Sequence, residues 1–134
     1  MKKLTEIEGI GASYAEKLQG AGIVSIEDLL EKGLSPKGRK EVAEKAGVSD
    51  KLLLRWVNMA DLFRIKGVGE EYADLLEAAG VDTVPELGQR NSENLHKKLE
   101  EVNEAKKLVR RVPNIKEVTE WVEQAKTLPR KVTY

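Results

Sequence analysis

The sequence contains no cysteine, a single histidine and few aromatic residues, which make up 4% of its 134 residues. Without cysteine, disulfides and thiolate chemistry are excluded. His96 has no second histidine or cysteine with which to form a zinc site, and no serine has a histidine partner suited to nucleophilic catalysis. P-loop and Rossmann glycine patterns are absent as well. We therefore expect a non-enzymatic protein that needs no metal or cofactor.

Long apolar runs and a net charge are also missing. No stretch approaches the roughly 20 apolar residues that cross a bilayer, and no apolar run follows the N-terminal lysines as it would in a secretory signal. These absences predict a soluble, cytoplasmic protein with no membrane partner. The 23 basic and 23 acidic side chains cancel, whereas a protein that binds a DNA duplex usually has a basic excess.

What the sequence does contain is an internal repeat. Residues 7–11, Ile-Glu-Gly-Ile-Gly, match residues 65–69, Ile-Lys-Gly-Val-Gly, at an offset of 58. The match resumes downstream, where Trp56 aligns with Trp121 at an offset of 65. The second copy is therefore seven residues longer, and we place the additional residues around 104–111.

This duplication predicts the domain organisation. One repeat spans residues 1–61 and the other spans 62–128, with a C-terminal tail at 129–134. Apolar residues recur at helical spacing in both copies, and no segment alternates as a strand would, so the chain is predicted to be all-α. Serines that can cap a helix N-terminus precede four predicted helices: Ser25, Ser35, Ser49 and Ser92. The helix after Ser92 is expected to run to about Arg111.

The residues around the glycines resemble a known motif. The pattern Leu4-x-x-Ile7-x-Gly9-Ile10-Gly11-x-x-x-Ala15-x-x-Leu18 resembles the helix-hairpin-helix motif, and residues 62–76 resemble it equally well. Over nearly all of residues 1–128 the chain is similar to an uncharacterised prokaryotic family of tandem helix-hairpin-helix proteins. The resemblance implies two tandem five-helix helix-hairpin-helix (SAM-like) repeats, and we expect them to pack as one compact body.

The resemblance also implies an activity, the sequence-independent binding of double-stranded DNA. Backbone amides and the positive dipole end at the start of a helix form a site for phosphate, and contacts of this kind carry no base readout. The residues implied at the two hairpins are Gly9, Ile10, Gly11, Ser13, Gly67, Val68 and Gly69.

Charge is distributed unevenly along the chain. Residues 59–88 carry two basic and seven acidic side chains, whereas residues 89–116 carry eight basic and four acidic ones. Glu70 and Glu71 follow the second hairpin directly and would compete with phosphate, so that hairpin is expected to be structural. The basic side chains expected to assist DNA binding are Lys37, Arg39, Lys40, Lys106, Lys107, Arg110 and Arg111.

An alternative interpretation needs no nucleic acid. Acidic and basic segments on one molecule also suit docking onto a protein partner or head-to-tail self-association. Helix-hairpin-helix units serve protein contacts in some families, so the fold does not decide between the two. The alternative is a protein-interaction or self-assembly module in which the hairpins only join helices.

Overall fold

The computed structural model describes residues 2–134, and this part of the chain forms α-helices and no strand, which confirms the all-α prediction. The α-helices are α1 (Ala12–Gly20), α2 (Ile26–Lys32), α3 (Pro36–Ala46), α4 (Asp50–Leu62), α5 (Glu70–Ala78), α6 (Val84–Gly88), α7 (Ser92–Lys106) and α8 (Ile115–Thr127). The chain divides into two compact units. Unit 1 comprises residues 2–61 with Lys131–Tyr134, and unit 2 comprises Leu62–Arg130.

Unit 1 begins with a short 3-10 helix, Leu4–Glu6, and continues through α1 to α4. Helix α3 packs against α1 and α2. Gly33 follows α2 and lies so close to Val57 of α4 that a Cβ atom would overlap the valine side chain. The core is aliphatic around one large ring, Trp56, and its fully buried members include Leu18, Ile23, Leu29 and Leu53.

Side-chain caps fix where the helices of unit 1 begin. The hydroxyl oxygens of Ser25, Ser35 and Ser49 accept from the amides of Asp28, Gly38 and Leu52, each at 3.1 Å. The three predicted caps are therefore confirmed. They work because a short side-chain oxygen satisfies an amide that has no partner inside the helix.

Unit 2 is built from α5 to α8. Helix α8 packs against α6 and α7, and α5 packs against α7. Gly88, the last residue of α6, permits a close approach to α8, because its missing Cβ would lie 3.3 Å from the backbone of Ala125. The apolar faces of these helices meet in a core with fully buried members such as Leu76, Val81, Leu95 and Val118.

Helix α7 departs from its prediction at both ends. Its cap is Asn91, whose side-chain oxygen accepts from the Asn94 amide at 3.0 Å, and Ser92 is already the first helical residue. The helix does not reach Arg111 but ends at Lys106, where Lys107 adopts a left-handed conformation with φ of 52°.

The chain leaves α7 because a side chain captures the backbone beyond it. Asn103 accepts from the amide of Val109 at 2.9 Å and donates to the carbonyl of the same residue at 3.2 Å. Val109 is buried, so the segment is held against unit 2 rather than extended along the helix axis. The seven-residue insertion thus forms an ordered connection and not two further helical turns.

Substitution of Gly38 by alanine should destabilise unit 1 by about 2–3 kcal/mol. A Cβ atom there would overlap the backbone carbonyl oxygen of Lys32, which cannot rotate away as a side chain could. The matched control is Gly20→Ala in α1, where nothing lies within 4 Å of the added carbon. Alanine there should be neutral or stabilise by up to about 1 kcal/mol. Denaturant unfolding of both variants measures the difference, and equal stabilities would contradict the expected clash.

Candidate nucleic-acid interface

The first glycine turn, residues 7–11, is a tight corner fixed by its backbone. Gly9 has φ of 96°, which an L side chain rarely adopts. The amide of Ile10 donates to the carbonyl of Ile7 at 3.0 Å, and the Ile10 side chain is buried. Ile10 therefore anchors the turn, and its amide is already used, while Gly9 and Gly11 remain exposed.

The turn rests on one aromatic side chain of α4. A Cβ atom at Gly9 would lie 3.7 Å from Nε1 of Trp56, and the Trp56 side chain is completely buried. The ring of Tyr14 meets the Trp56 ring edge-on, with 5.0 Å between centroids. Glycine is thus favoured at this corner by its backbone angle, since an added Cβ would make only an ordinary contact with the indole and its tight neighbour would be the flexible Arg55 side chain, at 3.0 Å from Nη1.

Helix α1 begins directly after the turn with its positive end uncovered. Gly11 occupies the N-cap position without a side-chain hydrogen bond, and the first turn of the helix contains no acidic residue. Ala12 and Ser13 are exposed. The first amides of a helix have no partner within it, so this end presents backbone donors and positive potential to an approaching anion.

One basic side chain lies beside the first turn, and two others line a groove between α3 and α4. Nη1 of Arg55 donates to the carbonyl of Glu8 at 3.4 Å, which places the guanidinium beside the turn. Lys51 lies one helical turn earlier on α4 and borders a groove that Lys40 of α3 also lines. We call Lys40, Lys51 and Arg55 the basic track. Lys51 and Arg55 were not among the residues expected from the sequence.

Of the three basic candidates on α3, two are exposed and one is not. Lys37 and Lys40 are exposed, whereas Arg39 is buried. The Arg39 guanidinium donates to the carbonyls of Gly33, Leu34 and Thr133 at 2.9, 3.2 and 2.7 Å. Because the guanidinium is buried and bound to carbonyls of unit 1, Arg39 stabilises the fold of this unit and is not part of an exposed basic surface.

The second glycine turn, residues 65–69, repeats the backbone geometry of the first. Gly67 has φ of 94°, and the amide of Val68 donates to the carbonyl of Ile65 at 3.1 Å. A Cβ atom at Gly67 would lie only 3.0 Å from Nε1 of Trp121, the residue that aligns with Trp56 in the repeat, so the backbone packs closely on this indole. Val68 is buried, as Ile10 is, while Gly67 and Gly69 are exposed.

The electrostatic surroundings of the second turn differ from those of the first. Gly69 also lacks a side-chain cap, but Glu70 and Glu71 occupy the first turn of α5. Glu120 stands on α8 where the repeat has Arg55 on α4. Gln124 clamps the Lys66 backbone, accepting from its amide at 3.0 Å and donating to its carbonyl at 3.1 Å.

Further along unit 2, Asp82 lies near two other carboxylates. Burial, followed by the nearby carboxylates of Glu86 and Glu77, raises the pKa of Asp82 above its ordinary value. A carboxyl group that holds its proton more tightly reports surroundings that disfavour anions. That shift concerns the surroundings of Asp82; at the second turn itself, Glu70 and Glu71 at the start of α5 make it a poorer anion site than the first.

The four basic residues expected on one face of α7 do not share a helix. Lys106 is the last helical residue, and Lys107, Arg110 and Arg111 follow in irregular backbone. The Arg111 guanidinium forms a two-pronged ion pair with Glu117, at 2.7 and 2.9 Å, and this pair lowers the pKa of Glu117. The end of α7 has exposed positive charge, but one of its four charges is partnered.

Other candidate chemistry is sparse in the described part of the chain. Nδ1 of His96 lies 3.3 Å from a carboxylate oxygen of Glu100, one turn away on α7. Among residues 2–134, no three histidine, aspartate or glutamate side chains come together where they could hold a metal ion. Within the same residues, no helix combines the length and apolarity that crossing a bilayer requires.

Comparison with known families finds a match to a domain family. The family described as "Domain of unknown function (DUF4332)" matches residues 8–128. Because the match covers most of the chain, the protein belongs to this family. No curated protein and no solved structure matches it.

Proposed function

We propose that this member of a family of unknown function binds the phosphate backbone of double-stranded DNA without sequence preference and catalyses no reaction. The observation that carries the proposal is the uncovered start of α1 at the first glycine turn, with the Arg55 guanidinium beside it. In this proposal both glycine turns are helix-hairpin-helix hairpins in tandem five-helix repeats. The 3-10 helix Leu4–Glu6 and the end of α4 then serve as the first helix of each repeat.

The binding mode follows from what the turn exposes. The amides at Gly11, Ala12 and Ser13 can donate to the oxygens of one phosphate group, and the helix dipole adds to the attraction. Neither the amides nor the dipole distinguishes one base pair from another, so binding has no sequence preference. Lys51 and Lys40 would contact neighbouring phosphates along the basic track.

Unit 2 contributes less in this proposal. Its glycine turn has the same backbone, but Glu70 and Glu71 stand where Ala12 and Ser13 stand in unit 1. Carboxylates at a helix N-terminus are themselves stabilised by the dipole, and they repel a phosphate from the same position. Lys106, Lys107 and Arg110 add only a diffuse attraction.

A salt titration tests the proposal directly. If about three phosphates are contacted, the affinity for a labelled duplex should fall about 40-fold between 50 and 200 mM salt. Duplexes of unrelated sequence should bind equally well. No binding at 50 mM salt would contradict the proposal. It would favour the alternative of a protein-interaction or self-assembly module, which the clamped and acidic second turn also suits.

A single substitution should locate the phosphate site. Ser13→Glu gives the first turn one of the carboxylates found in the second, and we expect it to lower duplex affinity about tenfold, equivalent to about 1.4 kcal/mol. The stability of α1 should not fall, since acidic residues suit a helix N-terminus. The matched control is Gln19→Glu, the same charge change on an exposed residue in the last turn of α1. An equal loss for both variants would mean that only net charge matters.

A further inference from the structure

The C-terminal segment Lys131–Tyr134 is part of unit 1, although the preceding residues belong to unit 2. Val132 is only 3% exposed. The amide of Thr133 donates to the carbonyl of Leu34 at 2.8 Å, and the Thr133 hydroxyl contacts the same oxygen at 3.2 Å. A short segment without helical structure is therefore held by an apolar anchor and by its own backbone.

Two side chains of unit 1 complete this contact. Nη2 of Arg39 donates to the carbonyl of Thr133 at 2.7 Å, and the guanidinium carbon lies 5.6 Å from the centre of the Tyr134 ring. The Tyr134 hydroxyl donates to the side-chain oxygen of Asn58 at 2.9 Å. We call the Leu34 carbonyl, Arg39 and Asn58 the docking notch. The Leu34 carbonyl and Arg39 bind the backbone of the segment, whereas Asn58 and the Arg39 guanidinium contact its tyrosine side chain. Peptide-binding sites likewise combine main-chain hydrogen bonds with contacts to particular side chains.

The buried arginine in the notch is specific to unit 1. Arg39 is the fourth residue after the cap of α3, and the fourth residue after the cap of α7 is Leu95, which is completely buried. A leucine therefore suffices to fill this position in a helix of the same kind. Burying a guanidinium is costly unless its donors are satisfied, and a carbonyl of the C-terminal segment satisfies one of them.

We propose that the docking notch is a recognition site for an extended peptide of the pattern apolar–Thr–Tyr, and that its ligand in trans is the C-terminal segment of a second copy of this chain. Every copy carries both notch and segment, so a contact made within one chain can be made between two. The segment follows residues 128–130, which contain no helix. The resident segment keeps its own notch occupied through its high local concentration. The docking notch takes no part in the proposed DNA binding.

The first part of the proposal, that the docking notch recognises a peptide, is tested with a full-length variant whose own segment no longer occupies the notch. Val132→Asp with Tyr134→Ala releases the segment and leaves the notch intact, and the probe is a labelled peptide of residues 128–134. We expect this variant to bind the peptide at least tenfold more tightly than the unaltered protein does. The control peptide carries Thr133→Pro, which keeps the charge but removes the amide that donates to Leu34, and it should not bind.

Equal binding of the two peptides, or no binding by the released variant, would overturn the proposal. Circular dichroism tests whether the released variant is folded. If the double variant unfolds, Thr133→Pro with Tyr134→Ala replaces it, since Val132 then stays buried while the hydrogen bonds to Leu34 and Asn58 and the ring contact with Arg39 are lost.

Mixing two complementary variants tests the second half. Arg39→Met destroys the notch but keeps the segment, whereas the released variant keeps the notch but cannot use its own segment. Each variant alone should elute as a monomer in size-exclusion chromatography, and an equimolar mixture should give a mixed dimer. If Arg39→Met unfolds, Asn58→Leu takes its place. Peptide binding without a mixed dimer would overturn the assignment of a second copy as the partner.

Discussion

Substitution of Trp56 by alanine should lower the free energy of unfolding by about 4 kcal/mol. The Trp56 side chain is completely buried and contacts both the first glycine turn and the ring of Tyr14. Its removal therefore leaves a cavity that these neighbours cannot fill without moving. For a protein whose total stability is on the order of 5–15 kcal/mol, this is a large fraction. Chemical denaturation followed by circular dichroism measures it.

The matched control for Trp56 is its ring partner. Tyr14 packs against the same indole but is 36% exposed, so Tyr14→Ala removes one side of the contact and opens no enclosed cavity. We expect a loss of about 1 kcal/mol for this variant. If the two variants were equally stable, the tryptophan would not be the centre of the unit 1 core.

Substitution of Gly67 by alanine should destabilise unit 2 by about 3 kcal/mol, from two separate causes. A side chain at φ of 94° is strained, at about 1–2 kcal/mol. The added carbon would also lie 3.0 Å from Nε1 of Trp121, which is buried and held by the core on its other side. Moving the indole or the turn to relieve that contact should cost about 1 kcal/mol more of the free energy of unfolding, which is the lower end of the range for overpacked cores.

Gly80 separates the two causes. It has nearly the same backbone angle, φ of 92°, but nothing lies within 4 Å of a Cβ atom added to it. Gly80→Ala should therefore show the backbone strain alone. The difference between the two variants in thermal unfolding measures the contact with Trp121, and no difference would mean that the indole yields without cost.

Much of the fold could be predicted because the signals are local. A serine before an apolar helical pattern can satisfy only the amides next to it, so the caps at Ser25, Ser35 and Ser49 follow from a few residues each. The end of α7 could not be predicted in the same way. Its helical pattern of charges continues past Lys106, and the helix ends because Asn103 binds the backbone of Val109, which then becomes buried.

The candidate site was predicted in part, for the same reason. The sequence identifies the glycine turns, but the role of each basic residue depends on what lies beside it in space. Arg39 is next to Lys40 in the chain, yet its hydrogen bonds lead to carbonyls that include Thr133, 94 positions away. Arg55 reaches the first turn across 47 positions, through a contact with Glu8 that no periodicity signals.

The long reach of Arg39 bears on how the protein folds during synthesis. Residues 2–61 leave the ribosome well before Thr133, the third carbonyl that this guanidinium binds, has been translated. At about 5–20 residues per second, the 72 positions from residue 61 to Thr133 correspond to a delay of about 4–14 seconds. Through that interval the Arg39 guanidinium lacks the Thr133 carbonyl as a partner, and we expect the amide protons of the first unit to exchange faster until residues 131–134 arrive.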